Sequence, residues 1–448
     1  MTVLDQQRLT QATLALDIDG IRRGVYSDRY FANVVGVLDA AAASGYRYSG
    51  AYPMLHGVEL AAEPIGDLVV EAQVFTRRAP YALVAGIDAA LAMLRHAAGG
   101  FDADGRFRET WDTLEVRAVY DGVFVHYDGH PEDVLPVLKI RGRYRDFALL
   151  ETTLLGVLSR ASRIATAVYE VLRVSAGKPT LFFPARFDMP DVQAIDGYAY
   201  WLAVQVHNAR AGTRVVPGVS TDAQGAWWGG RGGGTVPHAL IAAFMGDTAE
   251  AMRQFALFAP LTTPRIVLAD FNNDVVTDSL RTLDVFWAEY RAARLRDDRD
   301  AMLRWTLHGV RLDTGATMRD RAMEPDGPLG VNPVLVRHLR AVLDAAWERW
   351  SFADEAEREA AIAYCKAVRI AVTGGFNRDR IAQFEAEAVP VDIYGVGSSL
   401  LRNDPAANTD FTMDVVRVRV NGAWHEVAKV GRRANDNPDL VPVDLGRL

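Results

Sequence analysis

Residues 369–400 read RIAVTGGFNRDRIAQFEAEAVPVDIYGVGSSL, and the fold turns on this stretch. Arg369 to Thr373 is short, β-branched and apolar, the pattern of a strand buried on both faces. Gly374 and Gly375 stand at its carboxyl end. Asp379 to Glu387 reads as a helix, VDIYGV as the next strand, and Gly397-Ser398-Ser399 as its closing turn. Glycines at successive strand ends let backbone N–H groups approach an anion closely. Paired loops of this kind after the last strands of a barrel commonly hold phosphate. The same residues also read as two ordinary turns, so the rest of the chain has to weigh between the two.

Working back from this stretch, the runs TLFFPAR, TRVVPGVST, RIVLADF, LHGVRLDT, VRIAVTGG and VDIYGVGS are strand-like, and most precede a helical segment. That alternation predicts a parallel α/β sheet or barrel. Each run ends in a polar residue or glycine: Arg186; Thr221 and Asp222; Asp270; Arg311 and Asp313; Gly374 and Gly375; Gly397 and Ser398. In a barrel these ends converge on one face, where active sites lie.

Leu150 to Gly177 has an apolar stripe at helical spacing and links this part to what precedes it. Before it, helices are expected over Tyr30–Ala42, capped by Ser27 or Asp28, and over Pro80–His96. A strand is expected over Leu68–Phe75, and a small hairpin-like sheet over Glu115–Ile140. His126 and His130 flank a turn rather than one helix face, which favours a surface turn over a ligand pair. After Asn403, Phe411–Val420 and Trp424–Val430 read as a hairpin about Asn421-Gly422, packing back onto the first part. The residues from about Asn435 read as loosely ordered.

The 448 residues exceed one typical domain, and 50% hydrophobic with 24% charged is a globular balance. A net charge of −8 without a basic block argues against nucleic acid. The single cysteine, Cys365, excludes an internal disulfide framework and a cysteine-cluster zinc site. The first residues lack the pattern of a signal peptide, and no apolar run is long enough to cross a bilayer. The expectation is a cytoplasmic protein without a membrane partner.

GGRGGGTVPHAL (229–240) is a glycine loop leading into a helix. It is not a P-loop, because the Gly-Lys-Ser/Thr ending is missing. His238 at that helix start reads as a nucleophile or acid/base beside a lid, or as a capping imidazole. Phe183 and Arg186 can stack a flat ring and clamp an anion, or be a core ring with a surface arginine. Arg311 and Asp313 alternate and share a face, suiting phosphate with magnesium or a ribose hydroxyl, or a structural ion pair. Asp270 is open between ligand and turn residue. Trp227-Trp228 packs on a partner subunit or anchors the loop, and Arg291–Arg304 reads as a solvated helix face.

Taken together, these motifs resemble the nicotinate phosphoribosyltransferase family over most of the chain. SDRYF (27–31), GRYRDFALLETTLLGVLSRASRIAT (142–166), FPAR, GTVPHAL, VLAD, RLDTG, TGG, GVGSSL and FTMDVV follow in the family's order. The resemblance implies an irregular α/β barrel of the type II phosphoribosyltransferase kind over residues 141–402. An N-terminal mixed α+β domain, 1–140, would be completed by strands from 403–448. It implies a homodimer with shared active sites. Tyr30 of the neighbouring subunit and Phe183 would sandwich the pyridine ring, and Arg186 would bind its carboxylate or the pyrophosphate end of the donor. Arg311 and Asp313 would hold phosphoribosyl pyrophosphate and its magnesium, with Gly374, Gly375, Gly397 and Ser398 around the 5′-phosphate. His238 matches the histidine that ATP phosphorylates, and Asp222 falls near the ring's carboxyl or amide group. The implied activity makes nicotinate mononucleotide and pyrophosphate, coupled to ATP. Pro184 and Phe187 depart from the family's usual glycine and second arginine. Nicotinamide or quinolinate as acceptor, or a weakly catalytic nucleotide sensor, are the alternatives. Without the resemblance, the residues reach a barrel enzyme acting on a phosphorylated small molecule.

Overall fold

The computed structural model describes residues 6–448. After two short helical turns, Gln11–Leu14 and Ile18–Arg22, helix α1 (Arg29–Ala43) has Asp28 at its N-cap position, but the carboxylate makes no cap bond. Instead Thr152 Oγ1 donates to Asp28 Oδ2 at 3.1 Å and accepts from Asp28 N at 3.0 Å. Strand β1 (Val69–Thr76) follows, then α2 (Ile87–Ala97), β2 (Glu115–Ala118), β3 (Leu138–Arg143) and the long α3 (Glu151–Val174).

Two expectations are corrected here. The Pro80–His96 helix starts only at Ile87, because Tyr81–Leu83 is a strand paired with Phe124–His126. A short apolar run is ambiguous between helix and strand. Here Leu83 N and Ala85 N are taken by the hydroxyls of Thr166 and Ser162 on α3, and Gly86 turns the chain at φ 94°. The Glu115–Ile140 runs therefore form no sheet of their own: β2 and β3 pair, and the middle run leaves for Tyr81–Leu83.

Beyond α3 come β4 (Thr180–Phe182), α4 (Gln193–Ala211), α5 (His238–Ala243), α6 (Thr248–Phe258), β5 (Ile266–Leu268) and α7 (Val275–Leu295). Then follow β6 (Gly309–Leu312), α8 (Pro333–Ala345), α9 (Glu355–Lys366), β7 (Arg369–Val372), α10 (Arg378–Ala386) and β8 (Ile393–Val396). The strands run parallel in the order β4-β8-β7-β6-β5. Single parallel bridges from Phe182 to Val219 and from Val219 to Gly232 continue the curve past β4. TRVVPGVST thus contributes a bridge rather than a full strand. The result is an irregular α/β barrel whose strands are nearly all buried, which is why they read as unbroken apolar runs.

The C-terminal strands β9 (Phe411–Val420), β10 (Ala423–Glu426) and β11 (Val441–Val443) return to the first sheet. Its order is β10-β9-β1-β3-β2-β11, with every pairing antiparallel. Asn421 and Gly422 take φ of 50° and 82°, the primed turn that matches strand twist. The tail from Asn435 is ordered, against expectation. Leu440 and Leu445 are buried, and Asn437 Nδ2 donates to Pro136 O at 3.0 Å. Each sheet has its own apolar core, and α3 enters both, with Leu154 and Leu158 in one and Ala161 to Leu172 in the other.

Candidate functional site

The strand ends do converge. β5 runs out into Asp270, and Ala269 N still bonds Arg311 O on the neighbouring β6 at 3.2 Å. His238, the first residue of α5, places Nε2 3.1 Å from both carboxylate oxygens of Asp270. The imidazole is 46% exposed while the Asp270 side chain is only 9% exposed, so the acid is the wall and the ring faces outward. Phe271 flanks the ring at 6.4 Å between centroids. Burial pushes the Asp270 carboxyl up, His238 draws it down, and Asp313 pushes it up again. In the tautomer that donates Nε2–H to Asp270, Nδ1 keeps its lone pair.

β6 delivers Arg311 and Asp313 on one face, with buried Leu312 on the other. Arg311 Nη2 donates to Val236 O at 3.1 Å, and among the described residues its buried Nε has no partner. Burial holds the guanidinium below its ordinary value, Asp313 and Asp270 raise it, and Arg186 lowers it. One electrostatic neighbourhood therefore holds Arg186, Asp270, Arg311 and Asp313. A buried guanidinium donor without an acceptor fits an anionic ligand.

β7 and β8 supply the glycines. Thr373 Oγ1 donates to Asp313 Oδ1 at 2.8 Å. Gly374 and Gly375 follow with φ of 82° and 75°. A Cβ on Gly374 would stand 3.1 Å from Asp313 Oδ1, so this turn is both left-handed and crowded. Arg380 Nη1 donates to Gly374 O at 2.7 Å and props the loop from behind. At Gly397 a Cβ would meet the Phe187 ring at 2.9 Å, and at Gly395 it would meet the Phe183 ring at 3.0 Å. Ser398 is exposed, opening a short 3-10 turn, and Ser399 Oγ donates to Phe376 O at 2.9 Å. Arg186 is exposed, its guanidinium carbon 5.3 Å from the Phe187 ring centroid.

The structure also places Asp222, the paired tryptophans and Tyr30. Asp222 lies one short turn past its strand end, exposed, and its Oδ1 accepts from Gly232 N at 2.9 Å, pinning the glycine loop. Trp227 packs near Tyr198 and Trp201, and Trp228 stacks on Trp201 at 5.8 Å, so the tryptophans anchor that loop within the chain. Tyr30 is 58% exposed on α1, with its hydroxyl 3.3 Å from Asp28 and its ring against Phe31, outside the strand-end group.

Phe271 and Arg380 escaped the sequence reading, and the contacts of Thr373 with Asp313 and of Phe187 with Gly397 were not visible in it, because each joins residues far apart in sequence. Glu151, at the start of α3, is pushed up to about 7 by burial, then by Asp414 and Asp28.

Residues 59–162 match a family model described as quinolinate phosphoribosyl transferase, N-terminal domain. The nicotinate phosphoribosyltransferase pncB1 of Mycobacterium tuberculosis is 24% identical over 360 residues, covering 77% of this chain. The match spans 66% of that relative, just under two thirds of its length. Among solved structures, nicotinate-nucleotide pyrophosphorylase from Pyrococcus furiosus superposes with a TM-score of 0.59 at 24% identity, covering 93% of this chain and 80% of that one. Human nicotinic acid phosphoribosyltransferase gives 0.51 at 18% identity, covering 88% and 75%. The barrel with its returning C-terminal strands is thus the fold these proteins share.

Proposed function

We propose that this chain, which belongs to the nicotinate phosphoribosyltransferase family, joins nicotinate to phosphoribosyl pyrophosphate, releasing pyrophosphate and nicotinate mononucleotide. One observation carries the reading. The buried Nε of Arg311, without a partner among the described residues, lies within the group formed by Asp270, Asp313 and the Gly374-Gly375 turn. The pyridine nitrogen forms a bond to C1 of the ribose as the bond from C1 to pyrophosphate breaks. Charge builds on the leaving oxygens and the ring carbon, and little proton transfer is needed. Catalysis then rests on positioning and fixed charge. Arg311 and Arg186 would meet the pyrophosphate or the ring carboxylate, and the Gly374, Gly375, Gly397 and Ser398 backbone the 5′-phosphate. Phe183 would stack the ring, with Tyr30 of a second copy on its other face.

Among the described residues no cluster of three or more His, Cys, Asp or Glu side chains could hold a metal ion. Magnesium bound through one or two carboxylates plus substrate phosphates suits that arrangement, with Asp313 as the residue that would hold it. When bound, the ion would neutralise the leaving pyrophosphate. His238, oriented by Asp270, would take the terminal phosphoryl group of ATP on its free nitrogen as ADP leaves, coupling ATP to synthesis. Val25, Tyr26, Tyr30 and Val37 are exposed on and just before α1, apolar surface suited to the second subunit of a homodimer. No helix among the described residues is long and apolar enough to cross a membrane, and the reading is of a cytoplasmic enzyme of NAD biosynthesis.

The test is product formation from phosphoribosyl pyrophosphate and magnesium with nicotinate, nicotinamide or quinolinate, with and without ATP. Nicotinate mononucleotide, raised by ATP in the wild type and not in His238→Ala, is expected. Product from nicotinamide or quinolinate alone would move the acceptor. Donor binding without any product would favour the sensor.

A further inference from the structure

A second concave site lies away from the strand ends. It is a groove of about 310 Å³ between the later part of α7 and the residues just before α9. Asp284, Trp287, Ala288 and Arg291 line it from the helix, and Arg349, Trp350 and Ser351 from the opposite side. α7 begins at Val275, just after the Asp270 turn, and carries its chain away from it. At 1.5 Å per residue, Asp284 to Arg291 lie about 14–24 Å along the axis from that start.

The groove is built, not incidental. Trp287 and Trp350 stack at 5.1 Å with their planes 10° apart, and Trp287 also contacts Tyr290 and Tyr364. Asp284 accepts from Trp350 Nε1 at 2.9 Å and from Arg349 Nη2, which fixes both rim side chains. Arg291 is held by Glu357 through Nε and Nη2. Each arginine thus has one edge tied to a carboxylate and further N–H groups left over. The two guanidinium groups are each paired with one carboxylate, Asp284 and Glu357, beside a stacked indole pair. The volume is at the small end for ligand pockets.

We propose that this groove is a second small-molecule site, taking a flat heterocycle that carries a phosphate, of mononucleotide size. The ring lies against the partly exposed indole of Trp350, and the phosphate meets the open edges of Arg291 and Arg349. This site is independent of the activity proposed for the strand ends.

Calorimetric titration of the full-length protein with adenosine 5′-monophosphate and with nicotinate mononucleotide tests it. An Arg311→Ala background weakens the strand-end site. At least one nucleotide should bind this background, and Arg349→Ala should weaken that binding by about 10-fold or more. Arg349→Lys, which keeps the charge and loses the fork, should fall between. Ala288 is exposed, so Ala288→Trp fills the groove without disturbing a packed core and should abolish binding. Absence of binding by both nucleotides at millimolar concentration in the Arg311→Ala protein would overturn the proposal. So would binding that survives both Arg349→Ala and Ala288→Trp.

Discussion

His238 is held by a carboxylate 32 positions away, Asp270, which orients the ring. Asp270→Asn should therefore leave basal mononucleotide synthesis nearly intact and cut its stimulation by ATP by about 10²-fold, read from initial rates with and without ATP. Gly374→Ala forces a side chain into a left-handed turn against Asp313. It should cost about 1–3 kcal/mol in urea unfolding and weaken donor binding with it. Glu151 makes a pH prediction. Its folded value is about 7 against 4.5 for the unexceptional carboxyl, so the unfolded chain ionises first. Stability falls as pH rises through that window, and the cost is complete above the folded value. Because Glu151 is partly open to solvent, about 1–2 kcal/mol is expected rather than the full linkage energy. Glu151→Gln should be more stable than wild type at pH ~8 and equal to it at pH ~4, and parallel pH profiles would remove the effect. At this scale, a polar residue closing an apolar run was legible, and it put Asp270, Arg311 and Asp313 at the strand ends, where the structure has them. The His238–Asp270 pairing was not, because it depends on which loop packs beside β5. Asp222 shows the same limit: its position past a strand end was visible, its bond to the glycine loop was not.

Among elements, α3 does the most to unify the molecule. Its first turns pack under the antiparallel sheet and its later turns against the barrel, and Thr152 ties its start to Asp28 before α1. Leu158, fully buried, should cost about 2–5 kcal/mol as Leu158→Ala, measured by urea unfolding. Its 3.6-residue period made it legible from sequence, as the parallel strands were by their length and flanking glycines. Tyr81–Leu83 was misread as helix because three apolar residues carry no period of their own. Hydroxyls on α3 decide their conformation instead.

For the whole molecule, the first sheet is assembled from both ends of the chain. β9 lies on β1, and β11 closes the far edge on β2. The β9–β10 hairpin was legible through Asn421-Gly422. β11 was not, because Leu440 to Val443 is a short proline-containing run whose partner lies some 320 positions earlier. Removing residues from Asn435 onward should expose that edge and the apolar groups beneath it, lowering the urea midpoint; an unchanged midpoint would make the tail dispensable. The central claim is that one face of the barrel makes nicotinate mononucleotide. Its most direct test is the initial rate of mononucleotide formation from nicotinate and phosphoribosyl pyrophosphate, comparing wild type with Arg311→Ala and Asp313→Asn proteins of unaltered melting temperature. The account predicts robust synthesis by the wild type and a loss of about 10²-fold or more in each variant. Synthesis undiminished in both variants, or none in the wild type, would contradict it.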